Sequence, residues 1–158
     1  MIEIGFLPRG EIIWNKSASG GVSCAWGSWK SASNPTLRDV HEYILVFSKG
    51  KFKLHRSRAE KEEGRQDTVG KEDFIEWTKS IWTFPTVSAK RVGHPAPFPV
   101  ELPRRCIEMY SFAGDVILDP FAGSGSTGIA AKQNNRKYLL FDISKEYCDL
   151  AEMRISET

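Results

Sequence analysis

The sequence predicts an α/β fold with a largely parallel sheet and helices on its faces, and three stretches carry that reading. The first is DVILDPFAGSGSTG, residues 115–128. Its apolar run Val116-Ile117-Leu118 suits a buried parallel strand. Asp119-Pro120 ends the run, Gly123, Gly125 and Gly128 follow in the spacing G-x-G-x-x-G, and Ile129-Ala130-Ala131 opens a helix. The second is the apolar run YLLF at 138–141, which ends on Asp142. The third is YILVF at 43–47, a continuous apolar run of the kind buried on both faces of a parallel or mixed sheet.

The first stretch also reads as a ligand site. Glycines let a backbone turn sharply and approach a ligand closely. The free N–H groups and dipole at a helix start favour a polar or anionic group. An acid closing the next strand, here Asp142, suits a pair of ribose hydroxyls. A tight strand–helix turn without a ligand is the plain alternative; the flanking strand, helix and acid together weigh against it.

Size and composition bound the rest. The 158 residues fit one domain, with 41% hydrophobic and 27% charged residues. No apolar run approaches the ~18 residues of a membrane span. The N-terminal MIEIGFLPRGEIIW, with Glu3, does not read as a signal peptide. Cys24, Cys106 and Cys148 are odd in number and form no C-x-x-C, so reduced thiols in a cytoplasmic protein are expected. The three histidines are not spaced with them as zinc ligands, so no metal is expected. A net charge of +2 does not by itself imply nucleic acid.

In chain order, residues 1–7 are too short to classify and Arg9-Gly10 reads as a turn. Residues 11–14, EIIW, read as a strand. Residues 17–33, rich in Ser, Gly and Ala, read as a long loop; Trp26 and Trp29 favour packing over the active face to a floppy excursion. In TLRDVHE, residues 36–42, the cluster Arg38, Asp39, His41 and Glu42 reads as a polar element fixing that loop, in preference to a catalytic group. The basic run Lys49, Lys51, Lys53, Arg56 and Arg58, with Phe52, leaves two readings open: contacts to DNA phosphates, or a solvated, partly disordered linker. Residues 71–82 read as a short helix entering a loop. HPAPFP, residues 94–99, is stiff and extended. Residues 100–110 read as a helix with Leu102, Cys106, Ile107 and Tyr110 on one face, and Pro103 near its first turn. A helix to about Gln133, a turn at 134–136, the strand 138–141 and a helix over 144–154 complete the chain; Tyr147, Leu150, Ala151 and Arg154 line one side of the last.

HPAPFP before the glycine stretch, DPFAGSGSTG within it, and FDIS followed by Tyr147 after it together resemble the amino-group DNA methyltransferases, which methylate N(4) of cytosine or N(6) of adenine. The order resembles the permuted, or beta, class, in which the S-adenosylmethionine loop follows the catalytic half. The resemblance is sharpest over residues 80–155 and weaker over 11–49. It implies a Rossmann-like sheet with helices on both faces, incomplete at its N-terminus, in a single partial domain. Residues 1–50 supply strands and the active-face loop, 51–80 a variable, DNA-contacting segment, and 81–158 the cofactor-binding segment. It implies S-adenosyl-L-methionine held by His94, Pro95, Phe98, Pro99, Asp119, Pro120, Phe121, Gly123, Ser124, Gly125, Ser126, Thr127, Asp142 and Ile143. Double-stranded DNA is the implied substrate, in restriction–modification, with cytosine N(4) favoured through WNKSASGG and SNPTLRD.

One family element is missing from the sequence. The tetrapeptide Asp/Asn/Ser-Pro-Pro-aromatic, which holds the target amine, has no match: Asn34-Pro35-Thr36-Leu37 lacks the second proline and the aromatic, and Asp119-Pro120-Phe121 belongs to the cofactor loop. The chain therefore resembles the C-terminal portion of such an enzyme, with no catalytic residue of its own. A second polypeptide or an N-terminal segment carrying the motif, and self-association, are the partners this implies. Two alternatives stand beside this reading: a non-catalytic remnant that binds DNA or a partner, and a nicotinamide-dependent oxidoreductase. Asp119-Pro120, standing between strand and glycines, disfavours the latter.

Overall fold

The computed structural model describes residues 1–17, 30–35, 37, 39–53, 55, 57–88 and 97–158. Trp26, Trp29, Arg38 and Cys24 lie outside them. The chain divides into two compact units, one of Met1–Lys53 with Lys79–Pro85, the other of Leu54–Thr78 with Thr86–Thr158.

In the first unit a 3-10 turn, Ile2–Ile4, leads into β1, Phe6–Asn15. β1 pairs antiparallel with β2, His41–Lys49, from Phe6↔Lys49 to Asn15↔His41. On its other edge it pairs in parallel with β3, Ile81–Thr83, giving the order β2-β1-β3. Arg9-Gly10, expected to turn, instead lies inside β1, where the register shifts between Pro8 and Gly10. Such a bulge absorbs an extra residue without ending the strand. The Arg9 guanidinium donates to Ser48 Oγ at 3.1 Å and to the Phe52 carbonyl at 2.7 Å, tying down the chain that leaves β2.

Alternation along β1 puts Ile12 and Trp14 on the buried face. Trp14 stacks on Phe84, with ring centroids 5.2 Å apart, and its indole N–H donates to the Phe84 carbonyl at 3.0 Å. That bond answers the one polar atom of a buried indole. β3 was not expected, since three residues carry no readable period; its Trp82 is buried. The apolar run in β2 is not covered on both faces, as Tyr43 and Leu45 are 60% and 58% exposed. Antiparallel pairing allows one face to remain open.

In the second unit α1, Arg58–Glu62, begins at a capping box: Ser57 Oγ accepts from the Glu60 N–H, and the Glu60 carboxylate accepts from the Ser57 N–H at 2.7 Å. Then follow α2, Lys71–Trp77; α3, Glu101–Tyr110; β4, Val116–Asp119; α4, Ser126–Gln133; β5, Lys137–Leu140; and α5, Lys145–Ser156. β4 and β5 are parallel, registered from Val116↔Lys137 to Asp119↔Leu140, as the two apolar runs predict. Asn135, at φ 60, makes the turn into β5. Ile107 of α3 packs with Ala130 and Ala131 of α4, against Val100 and Ile117. The small alanines let α4 approach closely. On the opposite face Val116, Leu118 and Leu139 are 56%, 61% and 54% exposed.

Beyond the basic run, residues 65 and 66 are built into this unit. Arg65 Nε donates to Asp115 Oδ1 at 2.8 Å, and its guanidinium lies 4.9 Å from the Phe112 ring centroid. The Ala113 N–H donates to the Gln66 carbonyl at 2.9 Å, and Arg104 lies over the Trp77 ring of α2. Burial raises the Asp115 carboxyl, but the Arg65 bond and the Phe112 N–H outweigh it and hold it below the usual carboxylate range.

Arg136, 4% exposed, joins these pieces. It donates to Ser111 Oγ and carbonyl, to Thr68 Oγ1 and to the Asn134 carbonyl, at 3.1, 2.7, 2.7 and 2.6 Å. Thr68 Oγ1 in turn donates to the buried Glu108 at 3.2 Å. Sequence periodicity on α3 pointed to an apolar face; Glu108 joins Pro103 and Ile107 on the buried one because it faces this network. Arg136→Met should leave several part-buried acceptors and the buried Glu108 without their cation and destabilise the chain by roughly 3 kcal/mol. Urea denaturation measures it, and an unchanged midpoint would show that water replaces the guanidinium at no cost.

Candidate functional site

Two carboxylates at the ends of β4 and β5 shape the glycine stretch. Asp119 Oδ1 accepts the Phe121 N–H at 2.9 Å, and Oδ2 accepts the Thr127 hydroxyl at 2.6 Å, so one side chain closes the loop from its first turn to the start of α4. Asp142 Oδ2 accepts the Gly123 N–H at 2.9 Å, and Oδ1 accepts the Ser144 N–H at 2.9 Å. The loop is also stitched by its own backbone, Ala122 N–H to the Phe141 carbonyl at 2.9 Å and Gly125 N–H to the Ala122 carbonyl at 2.8 Å.

The glycines answer different demands. Gly123 and Gly125 hold φ of 50 and 78, which other L-residues adopt at a cost. A Cβ on Gly125 would also stand 2.7 Å from the Ala151 Cβ. A Cβ on Gly128 would stand 2.5 Å from Ile155 Cδ1 and 2.6 Å from Leu140 Cδ1. That third glycine is therefore a packing residue between helix and strand.

The first intrahelical bond to Gly125 comes from the Ile129 N–H at 3.0 Å. The amides of Ser126, Thr127 and Gly128 thus precede the α4 ladder, at the positive end of its dipole. The Ser126 hydroxyl donates to the Phe98 carbonyl at 3.0 Å, which fastens the end of the HPAPFP stretch to the helix start. Pro97, Phe98 and Phe121 wall a hollow of about 80 Å³ above Gly123, Ser124 and Ser126. A larger cleft of about 410 Å³, bounded by Asp142, Leu140, Cys148, Ala151 and Glu152, shares Ala122 and Gly123 with it.

Of the expected cofactor residues, the second unit gathers Phe98, Asp119, Phe121, Gly123, Ser124, Gly125, Ser126, Thr127 and Asp142 around this loop, and Pro99, Pro120 and Ile143 follow in chain continuity. Phe121 and Ile143 are exposed on either side. His94 and Pro95 lie outside the described residues. Thr127 turns its hydroxyl to Asp119 and so shapes the loop from below. Sequence reasoning missed Pro97 and Ala122 as lining residues. It also missed that Arg154 donates to the Ser124 carbonyl, a bond no spacing announces.

The expected DNA contacts fall in both units. Lys49, Lys51 and Lys53 belong to the first unit, with Lys49 Nζ 5.6 Å from the Phe6 ring centroid. Arg58 belongs to the second, where it pairs with Glu62 at 3.0 Å; Arg56 lies outside the described residues. Lys49 sits opposite Phe6, at the end of β1 away from Asn15. In the 36–42 cluster, Glu42 pairs with Lys16 at 2.7 Å and His41 meets the Tyr43 ring edge-on, in keeping with a structural role. Cys106 and Cys148 are free thiols, and burial pushes that of Cys106 up to about 11.

Comparison with known proteins fits this geometry. The family model described as DNA methylase, of the N6/N4 type, matches residues 1–153. The type II methyltransferase M.MthZI of Methanothermobacter thermautotrophicus is 34% identical over 153 residues, covering 93% of this chain and 43% of that protein. The orphan methyltransferase M.BamHII of Bacillus amyloliquefaciens is 34% identical over 73% of this chain and 54% of its own length. The chain thus spans about half the length of these curated relatives. TTHA0409 of Thermus thermophilus, described as a DNA modification methylase, superposes with a TM-score of 0.74 in its complex with S-adenosyl-L-methionine, at 31% identity over 99% of this chain and 56% of that one. No helix among the described residues is long and apolar enough to cross a membrane. The chain belongs to the N6/N4 DNA methylase family.

Proposed function

We propose that this chain is the S-adenosyl-L-methionine-binding portion of a site-specific DNA methyltransferase acting on an exocyclic amino group, cytosine N(4) in preference to adenine N(6), within restriction–modification. The observation that carries the reading is the pairing of Asp142 with the Gly123 N–H at 2.9 Å, which sets an acid beside a glycine cradle at a helix start. The T. thermophilus relative, in complex with the same cofactor, supports it. The N(4) preference rests on the WNKSASGG and SNPTLRD resemblance alone. Membership in a DNA methylase family removes the nicotinamide alternative.

The residues present fit the cofactor. A carboxylate offers about four acceptor positions. The Gly123 and Ser144 N–H groups each engage one oxygen of Asp142, which holds the carboxylate at the end of β5 beside the cleft it lines, where an acceptor suits ribose hydroxyls. Gly123, at φ 50, lines both hollows. The hollow walled by Pro97, Phe98 and Phe121 suits the methionine end, beside the positive pole of α4. When bound, S-adenosyl-L-methionine supplies a sulfonium methyl as electrophile. Here the chain's own residues bind and orient; Asp119 and Thr127 keep the loop in shape for that task.

An exocyclic amine is a weak nucleophile, since its lone pair is delocalised into the base ring. It must also be flipped out of the duplex and held by acceptors. The Pro-Pro-aromatic motif that supplies those acceptors is absent from the 158 residues. The half-exposed apolar face of β4 and β5 supports completion by a polypeptide that carries it, because a two-stranded sheet is marginal by itself. Lys49, Lys51, Lys53 and Arg58 serve DNA phosphates in this proposal, which makes binding fall with salt.

Calorimetry should find that Gly123→Val abolishes cofactor binding, because a β-branched residue is badly strained at φ 50. Asp142→Ala should weaken binding by about 1.5–3 kcal/mol, the range for hydrogen bonds to a charged group. Unchanged affinity in both rejects the assignment. With tritiated S-adenosyl-L-methionine and duplex DNA, the 158-residue chain alone should transfer no methyl group, and adding a polypeptide with the Pro-Pro-aromatic half should restore transfer to an exocyclic nitrogen. Robust transfer by the chain alone overturns the division of labour, and methyl at cytosine carbon 5 overturns the class.

A further inference from the structure

α5 does more than follow the cofactor loop in sequence, since one of its faces is laid directly against it. Ala151 meets Gly125 so closely that a Cβ there would stand 2.7 Å from the alanine methyl. Ile155, one turn on, meets Gly128 in the same way. Between them Arg154 reaches the loop and donates from its guanidinium to the Ser124 carbonyl. Lys132 of α4 closes the pairing by donating to the Ile155 carbonyl at 2.8 Å. Positions 151, 154 and 155 form one stripe at the i, i+3, i+4 spacing of a helix.

We propose that Arg154 is a positioning residue for the cofactor loop, orienting the peptide unit between Ser124 and Gly125. In a trans peptide the carbonyl and the N–H point in opposite directions. Here the carbonyl is taken by Arg154 and the N–H by the Ala122 carbonyl at 2.8 Å, so both ends of one peptide plane are fastened. Gly125, at φ 78, follows at once and is the cap from which α4 begins. A glycine there leaves the preceding plane free to rotate unless something outside the loop holds it. Arg154 comes from outside and is part-buried, with its acceptor in a buried residue. The plane it orients sets the course of the chain into α4, whose Ser126 lines the smaller hollow with Ser124. Arg154 touches no ligand atom in this role.

The binding part of this inference rests on the cofactor reading above, and the test separates the two. Arg154→Met keeps the apolar stem and removes the donor, whereas Arg154→Lys keeps a charged donor. Hydrogen exchange of the Gly125, Ser126 and Thr127 amides is followed without cofactor, beside melting temperature and calorimetric affinity for S-adenosyl-L-methionine. The Met variant should melt as a folded protein, exchange faster at those three amides than the unaltered chain while β4 and β5 stay protected, and bind about tenfold more weakly, the scale of one charge-assisted hydrogen bond. The Lys variant should recover most of the affinity, which a loss of general stability would not allow. Unchanged loop exchange in a folded Met variant overturns the proposal, as does faster exchange spread evenly over the unit. If the Met variant loses its cooperative melt, Arg154→Gln is judged by the same exchange comparison. If the unaltered chain takes up no cofactor, the cofactor reading fails, and the exchange result alone decides Arg154.

Discussion

The interaction on which the second unit depends is the grip of the Asp142 carboxylate. It takes the Gly123 N–H with one oxygen and the Ser144 N–H with the other. By that arrangement the end of β5, the middle of the glycine loop and the start of α5 are set by one side chain. Asp119 does the same for β4 and α4 through Phe121 and Thr127. Neighbouring parallel strands end at the same level because Asp119 pairs in register with Leu140. The acid after each strand therefore falls beside the same loop. A charged acceptor bonded to backbone N–H groups is among the stronger contacts a protein makes.

Close packing answers this electrostatic frame from behind. Gly125 and Gly128 allow α5 and β5 to approach where any side chain would collide. The alanines at 130 and 131 do the same for α4. The loop is thus held largely from outside it, by the packed face of α5. Elsewhere in the same unit, Arg65 ties the 65–68 stretch to Asp115, and Thr68 links Arg136 to Glu108 of α3. A segment whose composition resembles a solvated linker becomes structural because its polar groups find buried partners.

The three-stranded unit obeys a different constraint. Its core rests on Trp14, Trp82 and Phe84, with the indole N–H of Trp14 satisfied by the Phe84 carbonyl. Its strands leave apolar residues on an open face, Tyr43 and Leu45 among them, and the β4–β5 pair does likewise with Val116 and Leu118. Exposed apolar faces on sheets this small are unusual for a self-sufficient domain.

The sequence by itself determined the strands at 11–14, 43–47, 116–118 and 138–141, the helices that follow, and the acid and glycines of the site. Those features are local: an apolar run of strand length, a proline or asparagine that ends it, and a glycine spacing that only a strand–turn–helix needs. Tertiary structure alone decided the rest. The bulge at Pro8 and Gly10 depends on a partner strand roughly forty residues away, and β3 is too short to carry a period. Whether YILVF is covered on one face or two depends on what packs against it, which its own residues do not state. That the side chains of Asp119 and Thr127 meet each other is not stated by their motif. Arg154 looked like any arginine on an amphipathic helix. Its bond to the Ser124 carbonyl exists because α5 folds back against the loop, and a side chain's partner across thirty residues is set by packing and not by spacing.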